Sequence, residues 1–157
     1  MKKEVNLLVQ SALIAAIYVV LSLVFAPISY GLIQVRLSEI LTVLPFFTPA
    51  AIPGLFIGCL LANILGPYGM LDIVFGSLAT LIAAFLSYKM PKKILVPLPP
   101  VIVNMFIIGI MLYYVIDVPL YMTIPSVAIG QLIACYGLGY PFMIILEKMN
   151  LNIFSNK

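Results

Sequence analysis

The chain is predicted to be an all-helical integral membrane protein, a bundle of six transmembrane helices with both termini in the cytoplasm. Three observations carry that expectation. The 157 residues are 64% hydrophobic and only 8% charged, with a mean hydropathy of +1.24, a balance that suits a single domain in lipid. The apolar residues form long unbroken runs, not the alternation that barrel strands need. Pro and Gly gather between the runs, where helices stop.

Taken in order, the apolar runs cover about 5–25, 37–65, 70–88, 94–116 and 121–146. The breaks are Ala26-Pro27-Ile28-Ser29-Tyr30-Gly31, Gly66-Pro67-Tyr68-Gly69, Lys89-Met90-Pro91-Lys92-Lys93 and Asp117-Val118-Pro119. The first run follows Met1-Lys2-Lys3 and is longer than a signal-peptide core, so it is read as a retained span. Cleavage after Val24-Phe25-Ala26, just before Pro27, is the competing reading.

The second run could be one tilted helix, but Pro45, Pro49 and Pro53 interrupt it and Gly54 follows. Charge decides the count. Lys2 and Lys3 place the amino terminus in the cytoplasm, and the Lys89/Lys92/Lys93 cluster belongs there too. An even number of crossings must separate them, which requires the second run to be two short spans turning near Thr48–Pro53. Lys148 and Lys157 then also fall inside. The spans become about 5–25, 37–49, 53–66, 70–88, 94–116 and 121–146 within one membrane domain. Each short span is only ~20 Å long at ~1.5 Å per residue, less than the ~30 Å hydrocarbon core. Short, proline-broken helices need protein or water at their ends and point to a cavity. The tail 149–157 is polar and carries no strong expectation.

The few polar residues are one-sided in this topology. Arg36 and Glu39, within Gln34-Val35-Arg36-Leu37-Ser38-Glu39, open span two on the outer side and at i, i+3 can reach each other. An ion pair at a membrane edge is the bland explanation; a ligand site is the other. Asn63 ends span three, Asp72 starts span four and Asp117 ends span five, all outside, while Asn104 and Gln131 lie near mid-span. Tyr30, Tyr68 and Tyr121 flank the outer side. The inner halves of these helices hold almost nothing polar, so the expected pocket opens outward beneath the 26–36 loop. Asn104 and Gln131 also suit interhelical hydrogen bonds. Asp72 could cap span four, Asp117 suits a solvated loop, and Tyr121 an interfacial belt.

Several classes are excluded. The net charge of +3 is scattered among lysines at loops and ends, so no nucleic-acid surface is expected. There is no His, and the two cysteines, Cys59 and Cys135, lie in apolar runs as small hydrophobes. Hence no zinc site, disulfide frame or hydrolytic triad is available. A nucleotide phosphate loop is missing too. The chain is therefore not read as an enzyme, and no catalytic residue, metal or cofactor is assigned. Ala12 and Ala16 form a small-xxx-small pair in span one, and Gly54, Gly58, Ala62 and Gly66 a ladder along span three. Such ridges allow close helix approach, and packing within the bundle is the ordinary explanation, especially for the ladder.

Six short spans, the Ala-x-x-x-Ala pair and the outward polar residues resemble the substrate-binding S components of energy-coupling factor (ECF) transporters for vitamins. More specifically, Ala26-Pro27-Ile28-Ser29-Tyr30-Gly31, the run from Leu44 to Gly54, the run from Leu71 to Thr80, Pro97-Leu98-Pro99-Pro100-Val101 and Gly130-Gln131 are similar to the QueT family. The resemblance covers roughly 10–146. It implies a multi-pass protein of the cell membrane that binds a queuosine precursor, a deazaguanine base, outside the cell. It also implies partners: an ECF module of one transmembrane coupling subunit and two cytoplasmic ATPases, with ATP hydrolysed there. Ala12 and Ala16 match the helix-one docking motif for the coupling subunit, and transport would topple the S component within the bilayer.

The ligand's chemistry suggests roles. A carboxylate can accept two adjacent N–H donors of the base, and a second carboxylate can neutralise an aminomethyl cation. Glu39 is assigned the base edge and Asp72 the aminomethyl group, with the exchange of the two roles as the alternative. Asn104 and Gln131 would meet the ring polar groups, Tyr30 or Tyr68 would stack on the flat face, and Arg36 would orient Glu39 or close the lid. Three alternatives stand: an S component for riboflavin or thiamin, a stand-alone secondary transporter, or a non-transporting scaffold subunit. Secondary transport calls for an ion site and paired repeats that the sequence does not display.

Overall fold

The computed structural model describes residues 2–30, 33 and 35–149, with the backbone alone at Lys2 and Lys3. Gly31, Leu32, Gln34 and Lys157, with the rest of the tail from 150, lie outside the described residues. Every regular element among the described residues is helical. Helix α1 is Lys2–Val24, and a single turn, Ala26–Ser29, follows it. A 3-10 helix, Leu37–Phe46, comes next, then α2, Ala51–Ile64. Three long helices complete the chain: α3, Gly69–Tyr88, α4, Leu98–Ile116, and α5, Leu120–Lys148.

Four helical stretches are long and apolar enough to cross a bilayer: Glu4–Val24, Gly69–Tyr88, Lys93–Ile116 and Leu120–Lys148. Leu37–Phe46 and Ala51–Ile64 are apolar but shorter, so the second apolar run is indeed divided. The division falls earlier than the prolines suggested, with the helix ending at Phe46 and restarting at Ala51. Pro53 sits in the first turn of α2, where a missing N–H costs nothing. The first of the two is not an α-helix. Ten residues wound as 3-10 rise ~20 Å, about what fourteen α-helical residues achieve, so both short elements reach equally far.

Helix α1 packs on α2 through the glycine ladder. A Cβ at Gly54 would lie 2.8 Å from the Ser11 carbonyl oxygen, and one at Gly58 2.7 Å from the Tyr18 Cβ. The ladder is thus an internal helix contact, whereas Ala12 and Ala16 face outward from the bundle. Ile14, Tyr18, Leu41, Leu55 and Cys59 form the core at this contact. A second core joins Ala79 of α3, Ile108 and Leu112 of α4 and Val127 of α5. The outward side chains are large and apolar on nearly every helix, as lipid contact requires.

One expectation is corrected here. The end of the bundle opposite the Arg36 cluster is not free of polar groups. Thr48 donates to Gln10 Oε1 at 2.9 Å, Ser11 to the Ala50 carbonyl at 2.8 Å and Ser87 to the Val96 carbonyl at 2.8 Å. These bonds sit at the two turns of the chain; the Val96 carbonyl has no helical donor because residue 100 is proline, whereas the Ala50 carbonyl also accepts from the Gly54 N–H at 3.2 Å.

Candidate functional site

The site grows from the end of the bundle where the 3-10 helix begins. Arg36 precedes that helix with an extended backbone, φ −76° and ψ 105°. Its side chain therefore leaves the helical face that i, i+3 spacing assumed. It does not pair with Glu39. Instead Arg36 Nη2 donates to Asp72 Oδ2 at 2.9 Å, across 36 residues of sequence. Both partners are buried, with side chains 5% and 0% exposed. Nη1 points to the Cys59 sulfur at 3.9 Å, and the guanidinium lies 5.0 Å from the centroid of the Tyr30 ring.

Asp72 does not cap the helix, the alternative that its position in the sequence allowed. Helix α3 starts at Gly69, so Asp72 lies one turn inside, where the helix widens into a π-helical segment, Asp72–Gly76. Such segments free backbone groups and redirect side chains. Asn63, at the end of α2, donates to the Asp72 carbonyl at 2.8 Å and to the Cys59 sulfur at 3.4 Å. Thr80 donates to Cys59 at 3.2 Å and to the Gly76 carbonyl at 3.1 Å. Gly76 has no room for a side chain: a Cβ would stand 2.5 Å from both Asn63 Nδ2 and Asp72 Oδ1.

Glu39 occupies the next layer. It is 1% exposed, accepts from the Tyr18 hydroxyl at 2.6 Å through Oε1, and from Asn104 Nδ2 at 3.4 Å through Oε2. Among the described residues, both hydrogen-bond donors to its carboxylate are neutral. Thr42, one 3-10 turn on, donates to the Glu39 carbonyl at 2.6 Å. Gln131 joins from α5 indirectly, accepting from Cys135 at 3.4 Å, while Cys135 faces the Glu39 carbonyl at 3.9 Å. A second π-helical segment, Leu132–Gly139, starts immediately after Gln131.

Tyr30 and Tyr68 cover the cluster. Tyr30 donates to the Ala62 carbonyl at 2.9 Å, Tyr68 donates to the Tyr30 carbonyl, and the two rings meet edge to face at 5.9 Å. Burial raises the Tyr30 hydroxyl's pKa above its usual range, with Arg36 opposing, so it stays a neutral donor. Tyr121 and Asp117 stay apart from the site and are exposed.

The structure therefore brings Arg36, Asp72 and Asn63 into one group and Glu39 and Asn104 into a second, roofed by Tyr30 and Tyr68. Sequence reasoning missed Tyr18, Cys59, Thr80 and Gly76. For Tyr18 a signal existed, because a Tyr deep inside an apolar helix needs a partner for its hydroxyl. For the two small residues and the glycine, only their neighbours in space reveal the role. Chemically, the arrangement offers one carboxylate already neutralised by Arg36 and one held by neutral donors, beside several amide and hydroxyl groups.

Residues 8–148 match the family described as QueT transporter. A curated relative, the queuosine precursor transporter QueT of Lactococcus lactis subsp. cremoris (strain MG1363), is 40% identical over 82 residues, or 51% of this chain and 47% of the relative. The chain thus spans about half the length of the curated relative it matches. No solved structure matches the chain. With the family match extending over all the helices that build the site, the chain belongs to the QueT transporter family.

Proposed function

We propose that this protein is the substrate-binding subunit of an ATP-driven ECF importer that takes up a queuosine precursor, a deazaguanine base, from outside the cell. The observation that carries the reading is Glu39. A buried carboxylate held only by neutral donors is costly unless a cation joins it, and Arg36 is committed to Asp72. An aminomethyl-deazaguanine supplies such a cation beside a flat polar base. Glu39 then takes the aminomethyl group, and Arg36, Asp72 and Asn63 take the base, the exchanged form of the assignment expected from sequence. Asn104 and Tyr18 hold Glu39, Gln131 lies behind it, and Tyr30 and Tyr68 close the outer side.

The topology proposed with this function has six crossings and cytoplasmic termini, the two short helices forming a re-folded pair beside the ligand. The outward face of α1 with Ala12 and Ala16 supports docking on the coupling subunit, whose two ATPase partners would supply the energy. Calorimetry on the detergent-purified chain tests the ligand. Binding of the aminomethyl-deazaguanine, with guanine much weaker and riboflavin silent, is the expected result. A riboflavin signal without deazaguanine binding would replace the ligand and keep the importer. Uptake that persists in cells lacking the ATPase partners would instead favour a stand-alone transporter.

A further inference from the structure

Of the buried side-chain polar atoms among the described residues, five lack a hydrogen-bond partner: Arg36 Nε, Asn63 Oδ1, Asp72 Oδ1 and the hydroxyls of Ser29 and Ser77. Three of the five belong to one contiguous group. Arg36 is bonded to the Asp72 carboxylate at 2.9 Å and Asn63 to the Asp72 carbonyl at 2.8 Å, so the order in space is Arg36, Asp72, Asn63. All three residues are at least nine-tenths buried, at 4%, 0% and 0% exposure. Asn63 and Asp72 converge on the bare Cα of Gly76, where a Cβ would stand 2.5 Å from each. In that order the unpartnered atoms read donor, acceptor, acceptor.

We propose that Arg36, Asp72 and Asn63 read the pairing edge of a guanine-type base, with Arg36 Nε donating to the ring carbonyl, Asp72 Oδ1 accepting the ring N–H and Asn63 Oδ1 accepting the exocyclic amino group. This rests on the proposed uptake of a deazaguanine and adds to it the residues that set specificity. A guanine edge presents acceptor, donor, donor, the complement of the free atoms. A flavin edge presents carbonyl, N–H, carbonyl and would set an oxygen against Asn63 Oδ1. The aminopyrimidine of thiamin has no ring carbonyl to meet Arg36. The second end of the ligand agrees. In a 7-aminomethyl-7-deazaguanine the aminomethyl arm lies beside the ring carbonyl, hence on the Arg36 side. Glu39 follows one 3-10 turn after Arg36, and its carboxylate, held by Tyr18 and Asn104, is close enough to feel the Arg36 charge. The ligand order of arm, carbonyl, N–H and amino group runs parallel to Glu39, Arg36, Asp72 and Asn63.

The test is calorimetry on the full chain in detergent with two ligands, 7-aminomethyl-7-deazaguanine and the matching deazahypoxanthine, which lacks only the exocyclic amino group. The wild-type protein is expected to bind the second at least about tenfold more weakly, since a buried acceptor is left unmet. Asn63→Ala also removes the bonds of Nδ2 to Asp72 and Cys59 and so weakens both ligands, but the ratio of the two affinities should fall to about one. Asn63→Leu, closer in volume, serves as the second variant with the same expectation. Arg36→Lys, which keeps a cation opposite Asp72, should retain the preference for the amino group. Equal binding of the two ligands by the wild type overturns the inference while leaving the proposed function intact, as does a preference that survives in both Asn63 variants. If neither ligand binds the wild type, the proposed ligand falls and the inference with it.

Discussion

Glu39 and Gly76 show how single positions determine this site. Replacing Glu39 by Gln keeps the shape and one acceptor oxygen for Tyr18 but removes the charge, and the amide nitrogen that replaces the second oxygen is met by Asn104 once its own amide turns to present Oδ1. A charge-assisted hydrogen bond contributes ~1.5–3 kcal/mol, so Glu39→Gln should weaken the aminomethyl ligand by about 10- to 100-fold. Binding of the parent 7-deazaguanine, which has no cation, should change little, and calorimetry with both ligands separates the effects. A Glu39→Gln protein with full affinity for the aminomethyl ligand would count against Glu39 as its anion. Gly76→Ala forces a methyl group to within 2.5 Å of Asn63 Nδ2 and Asp72 Oδ1. Overpacking of that kind costs ~1–3 kcal/mol, and a lowered midpoint in thermal unfolding should accompany weaker binding. An unchanged midpoint would mean that the π-helical turn yields easily.

At the scale of elements, α1 has two faces with separate tasks. Its inner face carries Tyr18 to Glu39 and Ser22 to Ser38, the latter at 2.8 Å, and seats against Gly54 and Gly58 of α2. Its outer face exposes Ala12 and Ala16 among large apolar neighbours such as Leu8 and Leu13. Gly58→Leu should therefore push α1 away from α2, remove Tyr18 from Glu39 and abolish ligand binding. The double change Ala12→Leu and Ala16→Leu should leave binding intact yet stop uptake by cells, because bulk there blocks close approach of another helix. Normal uptake with both leucines would remove this face from the docking proposal. The 3-10 helix is the element that sequence period alone could not give. Ten residues in that geometry are unusual, and burial of Glu39, Thr42 and Pro45 along its eclipsed i, i+3 face is what holds it.

For the whole molecule, the decisive question is how many times the chain crosses the bilayer. Four long helices and two short ones fit six crossings only if the short pair crosses within the shelter of its neighbours. A membrane-impermeant thiol reagent gives the answer, since the native Cys59 and Cys135 are both buried. Asp117→Cys should label in intact cells and Lys92→Cys only after the membrane is opened. Labelling of Lys92→Cys from outside would leave three crossings before it and overturn the proposed topology. Both positions are exposed, so silence at either reflects the side of the membrane it faces.

The sequence by itself determined that the chain is helical and built for a bilayer, where its helices break, and which polar residues are candidates. Those properties follow from the length and composition of local runs, and lipid leaves the backbone few alternatives. It also held the family resemblance, in proline- and glycine-marked segments such as Leu44–Gly54 that the family match contains. What only the tertiary structure decided was which charge meets which. Arg36 and Glu39 are neighbours in sequence, yet Arg36 lies before the helix in an extended conformation and bonds to Asp72 of α3. Glu39 is left to Tyr18 of α1 and Asn104 of α4. Pairing in a buried site depends on which helices are packed side by side and how each is wound, and neither is encoded in the spacing of residues along one helix.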